Sequence, residues 1–388
     1  MNANGEPSVR TIAKAMKSSG TADGKELRRA VPREPHAEWK LRKDRPDPLK
    51  LLAESNRGRQ HHLVPLRRGR MAASPFAFLR GIRLLVSAIF AVMSIYSCRA
   101  QDLAPRTYVI TPLHWNAITL TWGFYDGSID LNGLPVSGTG TYHVPIFSYY
   151  HSFSFFGRSA NVVVSLPYGV GNFEGTAPGA GVHLYRSGLL DSVFRFSVNL
   201  KDGPAMPVQK FMKWKQKVLL GASLKVVAPT GQYDPTKLVN WGANRWSIKP
   251  EFGYSERWGN LLLDGYFGVW FFTTNPEFFS HNALFSGTNS QSQKPIGAFE
   301  GHLSYDVKQR LWFSLDGNFW FGGTTSLNGV QNPASRQISS RIGGTGSVPI
   351  TKNQSLKFSY SKGIHVRFGG NYKNFSAAWQ YSWLGRPN

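Results

Sequence analysis

Twelve stretches of this chain place large apolar residues at every second position, and the connections between them alternate between short and long. Alternation with period two identifies a β-strand, because successive side chains leave a strand on opposite faces. The stretches are residues 116–125, 142–154, 159–168, 189–200, 217–228, 244–255, 260–272, 296–306, 310–321, 338–350, 355–366 and 374–383. The last reads NFSAAWQYSW, with Phe375, Trp379, Tyr381 and Trp383 on one face and Ser376, Gln380 and Ser382 on the other. Taken alone, such a strand fits a soluble sandwich, its apolar face turned to a core, as well as a membrane barrel, its apolar face turned to lipid.

The connections separate the two. After the second, sixth, eighth and tenth stretches they are short (FFGR, ERWG, VKQR, TKN), and after the first, third, fifth, seventh and ninth they are long and polar, as in TTNPEFFSHNALFSGTNSQSQKP. Short periplasmic turns alternating with long outer loops, on strands of about ten residues, are the layout of an outer-membrane barrel. A sandwich has no reason for such alternation. The expectation is therefore an all-β chain: a membrane-spanning, antiparallel, up-and-down β-barrel of about 12 strands, with both termini on the periplasmic side.

Charge at the inward positions agrees. Asp191, Arg195, Lys225, Arg245, Lys249, Glu251, Asp264, Glu300, Asp306 and Asp316 sit on faces opposite the apolar stripes. Buried in a dry core they would be costly; lining a wet lumen they are tolerated. Two roles are open to them: a constriction that selects solutes, as rings of charge do in pores, or a structural network pairing charges across strands. Asp191 and Arg195, four apart on one face, are the leading constriction pair. The signs are mixed, so strong ion selectivity is not evident.

The formal net charge is +23, but residues 101–388 hold 25 Lys and Arg against 14 Asp and Glu, and slightly more than half the excess lies in the first hundred residues. With no zinc spacing and no RNA-binding motif, nucleic acid is not an expected partner; a mildly basic body suits an anionic lipid surface. The single cysteine, Cys98, excludes thiol catalysis and zinc–thiolate sites from the mature chain. His183, His281, His302 and His365 lack metal-ligand spacing, APTGQYDP lacks the spacing of a phosphate loop, and His151 and Ser152 alternate faces with no orienting partner, which a Ser–His nucleophile requires. No metal, cofactor or catalytic residue is expected.

Residues 1–70 are polar and rich in Arg, Lys and Pro, with no apolar period, and read as a disordered basic extension or a mis-assigned start at which Met71 is the true first residue. Residues 71–100 form a secretory signal peptide: Arg80 and Arg83, an apolar run over residues 84–96, and Cys98-Arg99-Ala100 before a cut at Gln101. Cys98 as a lipid anchor is a further possibility that Tyr96 fits poorly. Residues 101–388 are then the barrel, placed in the bacterial outer membrane after cleavage near Ala100/Gln101.

Two connections stand out. Phe278, Phe279 and Phe285 lie in a long outer loop that could plug the barrel, gather hydrophobic solutes at its mouth, or pack against other loops. Residues 201–216 (KDGPAMPVQKFMKWKQ) are long where a short periplasmic turn belongs, and read as an interfacial amphipathic helix beginning near Pro207, or as a solvated Lys-rich loop.

RTYVITPLHWNAITLTW, FFGRSANVVVSLPYG, SGLLDSVFRFSVNLKDGPAMP, LKVVAPTGQYDP, NWGANRWSIKPEFGYS and AWQYSW together resemble the bacterial outer-membrane proteins of the Putative MetA-pathway of phenol degradation family, over roughly residues 106–384. The resemblance implies an outer-membrane barrel that takes up aromatic or other hydrophobic compounds. The closing aromatic alternation is also similar to the signal read by barrel-assembly machinery, although here Leu384 to Asn388 follow it. The expected partners are thus outer-membrane lipid, barrel-assembly machinery and a small-molecule solute passing by passive diffusion, with a closed structural or adhesive barrel bearing partner-binding loops as the rival. N-terminal sequencing of the protein purified from membranes is expected to start at Gln101; any residue before it refutes the cleavage assignment.

Overall fold

In the computed structural model the described residues are 103–130, 137–177, 180–282 and 285–385; the stretches expected to be a basic extension and a signal peptide lie outside them. Sixteen strands are present: β1 (Trp115–Asp130), β2 (Ser137–Phe155), β3 (Arg158–Ala177), β4 (Ala180–Leu189), β5 (Ser192–Lys201), β6 (Val218–Ala228), β7 (Ser247–Trp258), β8 (Leu261–Phe272), β9 (Gln291–Gln293), β10 (Ile296–Lys308), β11 (Leu311–Gly322), β12 (Thr325–Leu327), β13 (Val330–Asn332), β14 (Gln337–Pro349), β15 (Gln354–Val366) and β16 (Gly369–Leu384), with one short helix, α1 (Val208–Phe211). Twelve of them close into a ring, in the order β1, β2, β3, β5, β6, β7, β8, β10, β11, β14, β15, β16 and back to β1, every pair antiparallel. All twelve strands read from the alternation are in the wall.

Closure leaves no wall strand unpaired, which is what a hydrocarbon surroundings demands of backbone N–H and C=O groups. The outward face carries the apolar stripe: Leu220 and Leu224 on β6, Phe252 on β7, Phe267 and Phe271 on β8, Phe299 and Leu303 on β10, Leu315 and Phe319 on β11 are all exposed. On β16, Trp379, Tyr381 and Trp383 stack in succession on that face, with ring centroids 6.4 and 5.7 Å apart. A band of this extent is untenable in water and expected in lipid.

The turns between β2 and β3, β7 and β8, and β10 and β11 have two residues each. Phe156 and Gly157 both take positive φ (48° and 78°), the geometry that continues the right-handed twist of the flanking strands through a two-residue hairpin. At the opposite rim, β1, β2, β3 and β16 run to 16–20 residues, longer than their alternation suggests. Their outer ends are Gly-rich and carry no clean period, but Tyr125 stacks on Tyr142 (4.7 Å) and Phe173 meets Trp241 (5.8 Å), so ring packing supports the extension. β4, which the alternation did not separate from β5, pairs with the outer half of β3 alone. The connection from β15 to β16 is only Arg367 and Phe368.

Apolar-out burial makes a depth-dependent prediction. Leu315→Arg, near the middle of β11, is expected to cost about 2–4 kcal/mol in urea unfolding from lipid vesicles, whereas Val307→Arg, beside the short-turn rim, is expected to cost about 0–1 kcal/mol. Equal costs would refute the assignment of the lipid face.

Candidate functional site: the lumen

Residues before β1 do not join the wall. The chain turns inward at His114, whose N–H donates to Ser152 O (3.1 Å), while Leu113 N–H donates to Met206 O (2.8 Å) and the Ser152 hydroxyl donates to Pro112 O (2.5 Å). From there residues 103–113 cross the lumen. Tyr108 is 2% exposed; its hydroxyl donates to Glu251 Oε1 (3.0 Å) and lies 3.1 Å from Ser223 Oγ. Its ring meets Tyr266 edge-on at 5.2 Å. Thr107 N–H donates to the Tyr266 hydroxyl (3.0 Å), Arg106 N–H donates to Asp264 Oδ2 (3.2 Å), and the Arg106 guanidinium reaches Asp306 (2.7 Å) across the face of Trp312 (4.2 Å).

Sequence reasoning missed this segment, because eleven non-periodic residues look like any lead-in to a strand. The readable signal is on the wall opposite. Gly221 and Gly253 face each other at inward positions of β6 and β7, and a Cβ at either would stand 2.2 or 2.0 Å from the Tyr108 ring. Those glycines are the seat of the ring.

The long connection after β5 explains itself here. Ile110, Met206 and Leu219 are buried together, with Phe211 and Trp214 packed against them. Residues 202–217 thus hold the inward segment from below. The short helix expected at Pro207 is present as the single turn of α1, but its interfacial placement is corrected: Phe211 and Trp214 turn to the lumen segment because Ile110 and Leu219 offer apolar surface there, leaving Met212 exposed.

The ten charged residues expected at the lumen serve different partners. Lys249, 3% exposed, bridges Glu251 (2.5 Å) and Glu300 (3.1 Å). His302, which the sequence left unassigned, stands between Glu300 (3.8 Å) and Asp316 (2.9 Å), and Asp316 also accepts from Thr345 (2.7 Å). Asp306 takes both Arg106 and Arg257. Asp264 serves Arg106 N–H as above. Lys225 stands over Trp270 (5.8 Å). Arg245 lies over Phe272 (4.7 Å) and donates to Gln293 (2.5 Å). Asp191 and Arg195, paired in the sequence by their spacing, are directed to different tasks. The Asp191 carboxylate accepts from Gly231 N–H and Ala243 N–H (both 3.0 Å), anchoring the outer loop between β6 and β7, whereas Arg195 donates to Thr107 Oγ1 and O (both 3.4 Å).

Above the charges, Val227, Trp270, Ile296, Ala298 and Trp320 form a buried apolar layer. Phe278 and Phe279 are buried in the outer loops with Phe285, Leu238 and Leu327 against them, a loop-on-loop cluster beside the small sheet β9–β12–β13. The outer and middle lumen along β6 to β11 is therefore packed with side chains and the inward segment. Along the remaining wall a cavity of about 890 Å³ persists, bounded by that segment on one side and by Thr119, Thr121, Tyr150, Arg195, Lys357 and Gln380 on the other, and reaching the short-turn rim at Gln309.

His151 and Ser152 lie on opposite faces. The imidazole meets Asn116 Oδ1 (2.8 Å) and the serine holds the inward segment. Among the described residues no group of three or more His, Cys, Asp or Glu could hold a metal.

A family model described as "Putative MetA-pathway of phenol degradation" matches residues 127–384, and one described as "Uncharacterized protein conserved in bacteria (DUF2252)" matches residues 59–101, outside the described part. No curated protein matches. Among solved structures, the COG4313 outer membrane channel from Pseudomonas putida F1 is similar at TM-score 0.59 and 16% identity, covering 73% of this chain and 100% of that one. The β domain of the Bordetella autotransporter BrkA (TM-score 0.41, 13% identity, 70% and 100% covered) and the transport unit of the Escherichia coli autotransporter AIDA-I (TM-score 0.44, 11% identity, 78% and 99% covered) follow. At these identities the likeness is one of fold.

Removing one partner of a buried pair strands the other charge. Lys249→Met leaves Glu251 and Glu300 without their cation and is expected to cost about 3–5 kcal/mol, read as an earlier midpoint in urea unfolding. An unchanged midpoint would mean water already screens the group.

Proposed function

The chain belongs to the Putative MetA-pathway of phenol degradation family, and from that premise we propose that it is an outer-membrane channel for small, aromatic or otherwise hydrophobic compounds, which pass by diffusion. The observation that carries the reading is the half-filled lumen. Twelve strands enclose more space than wall side chains fill, and the surplus is divided between a chain segment and an open cavity of about 890 Å³. The cavity wall combines hydroxyls (Thr119, Thr121, Ser148) with rings (Trp115, Tyr150, Trp312), a lining suited to a ring-bearing solute with one polar end. The inward segment is anchored chiefly by Tyr108 in its glycine seat, Arg106 on two carboxylates, and Ile110 on Met206 and Leu219. It acts as the restriction of the pore. The charges that were candidates for a selectivity ring act mainly to hold this segment and the outer loops in place. The family-derived solute class is supported by the ring-lined cavity, and the barrel architecture it needs by the fold shared with the Pseudomonas putida channel.

A second reading has an observation of its own. The fill along β6 to β11, with Phe278 and Phe279 packed among the outer loops, suits a closed structural or adhesive barrel whose loops meet a partner.

Planar-bilayer recording of the refolded barrel separates the two. Deletion of residues 103–113 is expected to raise single-channel conductance several-fold. Gly253→Val, which invades the Tyr108 seat, is expected to do the same without shortening the chain. Correct insertion, shown by heat-modifiable gel mobility, with no steps from either variant would favour the closed barrel.

A further inference from the structure

The mixed signs of the lumen residues conceal a bias that the geometry exposes. The acids are consumed: Glu251 and Glu300 by Lys249, Asp316 by His302 and Thr345, and Asp306 by Arg106 and Arg257. Among the described residues Asp306 is the single carboxylate lining the cavity, and it holds two guanidinium groups. Cations remain on the other side of the account. Lys357, inward on β15 between Ser355 and Ser359, is exposed where it lines the cavity, and it makes no ion pair among the described residues, the field of Asp316 reaching it only from a distance. Arg195 spends its Nη atoms on long contacts with Thr107 (both 3.4 Å), and its Nε is buried with no acceptor among the described residues. A guanidinium whose Nη donors make only long contacts and an unpaired ammonium thus line one cavity, where enclosure by protein leaves their field less screened than in open water.

We propose that this cavity is a binding site for a small organic anion, a ring-bearing carboxylate, whose charge is taken by Arg195 and Lys357 and whose ring lies against Tyr150 and the rim tryptophans. The assignment rests on the channel reading for the route such a solute follows, but not for its binding. The ring-and-hydroxyl lining alone would accept a neutral alcohol as readily. The two cations give the carboxylate its advantage, and a carboxylate entering the site completes the donors that Thr107 leaves short.

Equilibrium dialysis in detergent micelles tests the site without asking for conductance. The probes are benzoate and its neutral counterpart benzyl alcohol, against the refolded wild type, Arg195→Gln, Lys357→Gln, the double variant, and Lys352→Gln in an exposed turn as a control for net charge. Benzoate is expected to bind at least about tenfold more tightly than benzyl alcohol, and each single change in the cavity is expected to weaken benzoate about tenfold, the span of one charge-assisted contact. Benzyl alcohol binding should stay constant across the set, which also certifies that each variant is folded, and Lys352→Gln should match wild type. Equal affinities for the two probes, or benzoate binding that survives the double variant, would overturn the proposal. A closed channel in bilayers together with benzoate binding that depends on both cations would refute the transport reading and leave the anion site standing.

Discussion

Everything in this molecule follows from the requirement that no backbone N–H or C=O be left facing hydrocarbon. A sheet meets that requirement only by closing on itself, and this chain closes when its first strand, β1, pairs with its last, β16, along their whole length. Closure gives the two faces of one strand different solvents. Period two then becomes obligatory, since a slip of one residue would carry Phe252 into the lumen and Glu251 into lipid. The exposure of Phe252 (63%) and Leu315 (60%), which would mark an aggregating surface on a soluble protein, is the condition of stability here.

The same closure creates a cylinder that must be filled or wetted, and the chain does some of each. Where it is filled, charges are buried, and burying an ion pair brings little stability in itself because both partners lose water. The network formed by Lys249, Glu251 and Glu300 is better understood as positional. It presents Glu251 to Tyr108, as Asp264 and Asp306 present themselves to Arg106, so that one short segment finds a single path across the lumen. The glycine pair Gly221 and Gly253 does by absence what these carboxylates do by charge.

The wall was legible because each strand repeats one instruction: β7 reads apolar at Ile248, Phe252 and Tyr254 and polar between them. Strand ends were less legible. Gly127, Gly140 and Gly171 hold positions where a neighbouring ring or backbone leaves no room for a side chain, and close packing of that kind carries no period. The faces of the charged residues were legible but their partners were not, because Arg106 meets Asp306 only after the whole barrel has closed between them. For the same reason Asp191 and Arg195, neighbours by spacing, serve an outer loop and the inward segment respectively. Spacing within a strand fixes a face; it does not say what the opposite wall or an inserted segment will offer.

The asymmetry of the lumen has one origin in the path of the inward segment. Entering at Ser152 on β2, it runs to β6 and β7 at Tyr108 and then to β8 and β10 at Arg106, so it lies against the wall that carries the acids. Asp264 and Asp306 meet that segment, Glu251 and Glu300 meet Lys249, Asp316 meets His302, and the cavity on the other side is lined by hydroxyls, Lys357 and Arg195, which reaches back to Thr107. A chain with mixed inward charge therefore presents to its remaining cavity a surface of mostly one sign. Selectivity in such a pore is set less by which charges face inward than by which of them the protein has already answered.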